Sequence, residues 1–220
     1  MKILAHISNN YNSDIYPINL ACWLKKNKPE DWESRDYYDL AKLRPMRPSC
    51  RKDGGSSYSY KPGTNPPGHG RGSKGIAHEL VQEYICRLEG SMWQFQVFDN
   101  NFNVNIQRVE DEYTITDPDD PENYRIIDNM CYLHPDCAYY DYFGGKFGVE
   151  VTDTHKTNNK KIALFKKLNL FVFELQTISD WHIENQQRIK KEDVFKLKGR
   201  IKGFLAKSPK LWLLSSPMRM

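Results

Sequence analysis

Two acidic residues in the second half of the chain have the chemistry to bind a divalent cation. Asp136 stands in an HPD triplet, and Glu150 follows it by 14 residues in the segment FGVEVT. Magnesium prefers carboxylate oxygens and keeps several of its own water molecules, one of which can attack phosphorus. If the two acids lie on neighbouring strands, they predict a magnesium or manganese site that also uses the carbonyl oxygen of Val151.

Two strands joined by a glycine turn would bring these acids together. Residues 137–143 and 146–152 flank a pair of glycines, which is a strong hairpin signal between segments of this composition. Side chains alternate between the two faces of a strand. The three apolar side chains of the second strand therefore predict core, and Glu150 is predicted to lie on the opposite, polar face.

A predicted helix offers two further carboxylates. The segment from Ser73 to Gly90 carries apolar residues at helical spacing, with Ser73 as a cap and Gly90 as the end. Glu79 and Glu83 lie one turn apart on a second face of this helix. They either reach into a site or only face solvent, and the sequence leaves both alternatives open.

The remaining segments predict an α/β fold. Alternating apolar residues in 92–109 predict two strands around a turn, whereas the polar run 111–125 predicts a loop or insertion. An amphipathic helix is expected at 160–169 and a buried strand at 170–175. The basic segment 190–210 predicts one or two short helices whose lysines point outward.

The first third of the chain is less informative. Residues 1–44 predict an extension of unknown role, with short helices near 19–26 and 37–43. Residues 45–72 are rich in proline, glycine, serine and basic residues, which is typical of a loop or arm. This segment is either a plain linker or an arm that contacts phosphates and bases. Its candidate nucleic-acid contacts, including one just beyond it, are Arg47, Arg51, Lys52, Lys61, Arg71 and Lys74.

The distribution of charge suggests a polyanionic partner. The net charge is +4, but residues 75–154 carry −12 while the flanking segments 42–74 and 155–210 carry +7 and +9. Such a distribution suits a protein that holds cations at its centre and attracts nucleic acid around it. Solvated acidic loops are the alternative explanation.

Cysteine usage and hydropathy predict a cytoplasmic protein. No CxxC pair occurs among the 5 cysteines, so reduced thiols are expected. The run CYLHPDC at 131–137 resembles a partial zinc site, but a fourth ligand is not evident. No apolar stretch approaches the length of a membrane span, and no signal peptide is recognisable.

Taken together, the order of elements and acids resembles the PD-(D/E)XK nuclease superfamily, and most of all its competence CoiA-like branch. The resemblance covers roughly residues 55–176. Its matching pieces are a loop and helix that carry His78, the HPD triplet, FGVEVT followed by THK, the lysine-rich helix, and FVFEL. It implies a restriction-endonuclease-like core at 73–178, a central mixed sheet flanked by helices, with a basic helical tail at 179–220.

The resemblance also implies a metal-dependent hydrolysis of DNA, with RNA left open. Pro135-Asp136 matches the family's PD, Glu150 its second acid, and Glu79 or Glu83 the helical acid that completes the metal shell. Thr152 stands where the family has a lysine.

That departure leaves two hypotheses. In the first, His155, Lys156 or Lys160 supplies the missing charge. In the second, the chain has lost catalysis and binds nucleic acid or protein.

Overall fold

The computed structural model describes residues 2–52, 55–64, 75–153, 156–183 and 185–217. They form an α/β protein. The strands are β1 Leu4–His6, β2 Ile15–Pro17, β3 Tyr37–Tyr38, β4 Pro45–Ser49, β5 Ser57–Tyr60, β6 Met92–Val97, β7 Asn100–Asp117, β8 Asp120–Leu133, β9 Lys146–Thr152, β10 Val172–Gln176 and β11 Lys210–Ser215. The helices are α1 Ile18–Asn27, α2 Pro29–Glu33, α3 Ile76–Cys86, α4 Tyr140–Phe143, α5 Asn159–Lys167 and α6 Lys191–Leu205.

The chain divides into two compact units. The first consists of Met1–Asn65, Arg71–Glu83 and Ser179–Ile201, and the second of Pro66–Gly70, Tyr84–Ile178 and Lys202–Met220. These limits cut across the predicted segments 1–44, 45–72, 73–178 and 179–220. The N-terminal extension and part of the C-terminal tail fold together as one unit.

The first unit is built on a five-stranded sheet in the order β2-β1-β3-β4-β5. A bridge between Lys2 and Tyr58 joins the last strand back to the start of the chain. Helix α1 confirms the helix predicted near 19–26, but the helix predicted at 37–43 is wrong because this segment begins with β3. The supposed arm 45–72 contains β4 and β5, whose tyrosines and methionine point into the unit's core.

A disulfide corrects the prediction of reduced cysteines. Cys22 on α1 and Cys50 at the end of β4 are bonded, with their Cα atoms 5.4 Å apart, a normal separation for such a bond. The other three cysteines are buried, reduced thiols. The 28-residue sequence separation hides this pairing, since only the sheet brings the two residues together.

The second unit is a closed six-stranded barrel in the order β10-β11-β6-β7-β8-β9. Strands β9 and β10 are parallel, as are β11 and β6, and the other neighbours are antiparallel. Helix α5 connects β9 to β10, as the sequence predicts. The C-terminal tail is not wholly helical, because the alternating apolar residues of β11 complete the barrel.

The segment 111–125 is not a loop. It forms the outer part of the long hairpin of β7 and β8. Its side chains are largely polar because much of this part of the hairpin faces solvent, while the cross-strand backbone hydrogen bonds hold it together. The inward-facing Ile115 and Ile127 are the apolar residues that anchor it to the core.

The glycine hairpin is also different from the prediction. Strand β9 pairs with β8, and residues 140–143 form the short helix α4. Phe143 is drawn into the barrel's aromatic core, 5.3 Å from the Phe147 ring centre. Gly144 then ends α4 in the left-handed conformation with φ 64°, which glycine adopts without strain.

Strand β9 is buried on both faces. One face carries Phe147, which packs against the rings of Phe95 and Phe173 at 5.5 Å each. The other face lies against a second cluster that contains Ile127, Val172 and the α5 residues Leu164 and Phe165. The sequence predicts a polar face opposite the core for Glu150, but the structure places this residue in a covered layer.

No helix in the described part of the chain is long and apolar enough to cross a membrane.

We expect Phe165→Ala to lower the free energy of unfolding by about 3–5 kcal/mol, because it removes a fully buried ring between α5 and the barrel. Phe98→Ala is the matched control in the same unit, since Phe98 is 58% exposed; its effect should stay below about 1 kcal/mol. Denaturant unfolding followed by circular dichroism measures both. Similar losses in the two variants would contradict the packing of α5.

Candidate active site

Asp128 is the aspartate that lies beside the Glu150 segment. Strands β8 and β9 pair through Asn129 and Val149, and Asp128, the residue before Asn129 on β8, turns its carboxylate toward β9. Oδ2 of Asp128 accepts the backbone N–H of Val151 at 3.0 Å, with both residues buried. One carboxylate on β8 therefore lies against the Glu-Val-Thr segment of β9.

The structure does not bring Asp136 to Glu150. The side chain of Asp136 is 89% exposed, and its backbone N–H donates to Nδ1 of His134. It follows the end of β8, where the N–H of Leu133 donates to the carbonyl of Gly145. Glu150 lies five residues after Gly145, which at the usual rise of a strand is about 17 Å from that end of β9.

Glu150 forms an ion pair with a lysine of α5. Its Oε2 accepts a hydrogen bond from Nζ of Lys161 at 2.6 Å, and the side chains of the two residues are 6% and 19% exposed. Removing two charges from water costs free energy that only close, well-oriented pairing offsets. The short contact supplies this pairing.

The two lysines that the sequence predicts as the source of the missing charge lie on the surface. Lys156 and Lys160 are exposed, and the backbone N–H of Lys160 donates to the side chain of Asn158, which caps α5. Within α5, Lys161 shares a face with Leu164 and Phe165, because these residues follow it by three and four positions. His155 lies outside the described residues.

A second buried glutamate lies on the neighbouring strand. Glu174 of β10 is the register partner of Glu150, so their side chains lie on the same face of the barrel wall. Glu174 accepts two hydrogen bonds from Thr157, from the backbone N–H at 3.1 Å and from Oγ1 at 2.8 Å. The two carboxylates thus bind separate donors from the segment that contains α5.

Thr152 and Val151 keep the predicted alternation along β9. Both are buried. The carbonyl of Thr152 accepts the N–H of Thr177, and Oγ1 of Thr177 donates to Asp153 at 2.8 Å. Thr152 shares the face of Glu150 but brings no charge, so Lys161 is the cation that the structure places against this carboxylate.

Glu79 and Glu83 are interior residues of the first unit. Glu79 accepts the backbone N–H of Ile3 at 3.1 Å, and Glu83 accepts Nζ of Lys198 at 2.6 Å with His6 at 3.7 Å. Burial, the strongest influence, raises the pKa of Glu83, but the nearby His6 and the charge and hydrogen bond of Lys198 outweigh it and lower the pKa overall. Both glutamates are buried, so the alternative in which they only face solvent does not hold, and Lys198 compensates the buried charge of Glu83.

Groups of three or more metal-binding side chains are absent from the described parts of the chain. The predicted shell of Asp136, Glu150 and a helical glutamate is therefore not assembled. The same holds for a zinc site at 131–137, where Cys131 and Cys137 are buried, reduced thiols.

The candidate nucleic-acid contacts that can be placed lie on the first unit. Arg47 is exposed on β4, and Arg51 and Lys52 are exposed in the β4–β5 connection. Lys61 forms an exposed ion pair with Asp36 at 3.2 Å. Arg71 and Lys74 lie outside the described residues.

A cavity of about 340 Å³ lies away from these acids. It is lined by Tyr142, Lys146 and Asn169, among others. Lys146 begins β9, whereas Glu150 lies near its other end. The cavity is therefore not part of the candidate site.

Two signals in the sequence point to the residues that motif reasoning missed. Asp128 directly follows Ile126-Ile127 and precedes Met130 and Cys131, a composition typical of a buried strand. A charged residue inside such a strand is unusual and suggests function. Lys161 is the lysine whose spacing matches the apolar face of its helix.

A scan against protein-family models finds no match for this chain, and searches of curated proteins and of solved structures find none either.

Proposed function

We propose that this chain is a metal-dependent nuclease that hydrolyses phosphodiester bonds of DNA. One arrangement carries the proposal. Asp128, Glu150 and Lys161 lie on the neighbouring elements β8, β9 and α5. Nζ of Lys161 is 2.6 Å from Glu150, and Asp128 accepts the backbone N–H of Val151, the residue after Glu150. Two carboxylates can hold a divalent metal ion, and a lysine can stabilise the negative charge that develops on the phosphate oxygens.

The order of elements supports the proposal. A helix, α3, precedes an antiparallel meander of β7, β8 and β9, which helix α5 connects to the parallel strand β10. This is the order expected of a restriction-endonuclease-like core, with one acid on each strand of the β8–β9 pair. Asp128 then takes the family's first acidic position in place of Asp136, and Lys161 replaces the lysine missing at Thr152.

The donor set suits magnesium or manganese. Magnesium is commonly held by one or two carboxylates and retains several waters, so Asp128 and Glu150 suffice without a third acid. Lys161 holds Glu150 in this structure. A metal ion bound to Glu150 would compete with Lys161 for this carboxylate, which would make the ammonium group available to another anion.

The residues would then divide the chemistry. The bound ion would act as a Lewis acid toward the phosphate and would activate a water molecule. Asp128 and Glu150 would hold the ion, and Lys161 would stabilise the negative charge that develops on the phosphate oxygens. Arg47, Arg51 and other exposed cations would contact the nucleic-acid backbone without reading its sequence. The same chemistry applies to RNA.

The ion pair also supports a second candidate function, a binding module without catalysis. Glu150 is already neutralised by Lys161, and Thr152 stands at the expected lysine position. In this case the chain would bind nucleic acid or protein independently of metal. Incubation with plasmid and with single strands, in magnesium, in manganese and in EDTA, separates the two candidates: metal-dependent cleavage supports the nuclease, and binding alone supports the module.

We expect Asp128→Asn and Glu150→Gln each to reduce metal-dependent cleavage by at least about a hundred-fold, because each removes a charged metal ligand. Asp136→Asn is the matched control and should cleave at the wild-type rate, since its side chain is 89% exposed. Initial rates on plasmid DNA, with circular dichroism to verify folding, measure the effect. Loss of cleavage in Asp136→Asn alone would restore the HPD site and refute Asp128.

We expect Lys161→Met to slow cleavage by about a hundred-fold, whereas Lys160→Met should have no effect because Lys160 is exposed. Lys161→Met also leaves Glu150 buried without its cation, which should lower the melting temperature. The double variant Lys161→Met/Glu150→Gln should recover the melting temperature but not cleavage. Equal rates for Lys161→Met and the wild type would exclude Lys161 from the reaction.

A further inference from the structure

The hairpin of β6 and β7 carries carboxamide side chains at its outward positions. Trp93, Phe95 and Val104 point into the barrel and are at most 2% exposed, so the residues that alternate with them point outward. Five of these outward side chains are amides, and four of the five are exposed. This surface, the amide face, consists of Gln94, Gln96, Asn101, Asn103 and Asn105.

Strand register arranges these amides as a grid. Gln94 lies opposite Asn103, and Gln96 lies opposite Asn101. Neighbouring strands are about 4.8 Å apart, and alternate residues of one strand are about 6.8 Å apart. Each carboxamide offers two N–H donors and a carbonyl acceptor. The described residues form no side-chain hydrogen bond with the five amides, so these donors and acceptors are open to an outside ligand.

The stability of the strand does not explain this composition. Asparagine is depleted in β-strands, whereas threonine, valine and tyrosine are favoured there. Asn101, Asn103 and Asn105 nevertheless occupy three successive outward positions of β7. Threonine would give an equally polar surface and a more stable strand. The run of asparagines therefore indicates a role for the carboxamide groups themselves.

The amide face is uncharged, and its surroundings carry no excess of one sign. On the neighbouring β11 the ammonium group of Lys210 lies over the Trp212 ring, 5.2 Å from its centre. Asp99 lies in the turn between β6 and β7, and His134 at the other side pairs with Asp136. Nucleic acid binds chiefly through cations that neutralise its phosphates. The ligand that suits this face is instead polar and neutral.

Two exposed aromatic rings lie at one border of the amide face. Leu211 of β11 pairs with Val97 of the parallel strand β6, and each is followed by an aromatic residue. These residues are Trp212, which is 48% exposed, and Phe98, which is 58% exposed. In a binding surface, amide side chains supply adaptable hydrogen bonds and aromatic rings supply rigid contact area. The face and its border together offer both.

We infer that the amide face binds a neutral oligosaccharide. A sugar hydroxyl both donates and accepts hydrogen bonds, as a carboxamide does, and a chain of sugars repeats these hydroxyls along its length for a grid of amides to meet. The apolar C–H face of a sugar ring packs against an aromatic side chain, which Trp212 and Phe98 offer. None of these residues belongs to the candidate active site, so the binding is independent of the proposed hydrolysis of DNA.

Binding is tested with the intact chain on an array of neutral and acidic oligosaccharides, and the best-bound neutral one is titrated by isothermal calorimetry. We expect Gln94→Ala/Asn103→Ala to weaken this binding by about ten-fold, because two hydrogen-bonding side chains are lost from the face. The matched control is Asn159→Ala/Gln176→Ala, which removes two exposed amides of the same unit outside the amide face. This control should bind as the wild type does.

Two single variants separate binding from folding. Asn103→Val should weaken binding about three-fold and leave the melting temperature unchanged or higher, because valine is favoured in strands but forms no hydrogen bond. Trp212→Ala should weaken binding about ten-fold through the loss of ring contact. Tyr124→Ala removes a ring of β8 that is 53% exposed and should have no effect. Circular dichroism verifies that each variant is folded.

Four outcomes would overturn the inference. The first two are no binding of any neutral oligosaccharide on the array, and equal affinities of the wild type and Gln94→Ala/Asn103→Ala. In the third, the double variant loses binding of oligo-dT in EDTA and not of sugar, so the amides contact bases. In the fourth, the wild type sediments as a dimer that the double variant dissociates, so the amide face is an interface between two copies of the chain.

Discussion

The candidate site depends on the ion pair between Lys161 and Glu150, which arises because β9 is covered on both faces. Aromatic rings fill the barrel on one side, and α5 covers the other, so a carboxylate on β9 cannot reach bulk water. An uncompensated buried charge is strongly destabilising. The helix that covers Glu150 must therefore bring a cation, and Lys161 is the residue of its inward face that does so. Both the packing of α5 and the proposed chemistry therefore require a cation at this position.

The hydrogen bonds around this pair hold α5 against the barrel. Glu174 binds Thr157, just before the helix, through both its backbone N–H and its hydroxyl group. Asn158 then caps the first turn, so the rotation of the helix is fixed before Lys161 is reached. A shift of the helix start by one residue would turn Lys161 by about 100° away from Glu150. The position of one ammonium group is thus set by side chains on β10 and in the β9–α5 connection.

Local patterns in the sequence predict part of this fold correctly. The apolar spacing of α3 and α5 and the apolar run of β10 identify these elements because their signals lie within a few consecutive residues. The β7–β8 hairpin was missed because its outer part is polar and is held mainly by backbone pairing. Asp128 was missed because its position beside Glu150 depends on the register of two strands, which local patterns do not show. The Cys22–Cys50 bond and the closing strand β11 also depend on contacts between distant parts of the chain.

A linear sequence motif assumes a fixed number of residues between two acids. In this fold, the place where the segments of Asp128 and Glu150 meet and the number of residues between them depend on different features. Register between the strands sets where Asp128 and the Glu150 segment meet, whereas α4 and its glycine turn set how many residues lie between them. A longer or shorter turn would change the interval and leave the meeting point intact. A search for related chains should therefore use the aligned positions of paired strands and the inward phase of the following helix rather than a fixed gap. With Asp128 as the proposed metal ligand, the HPD triplet of the turn would carry little weight in such a search, and the aspartate that follows Ile126-Ile127 on β8 would carry most of it.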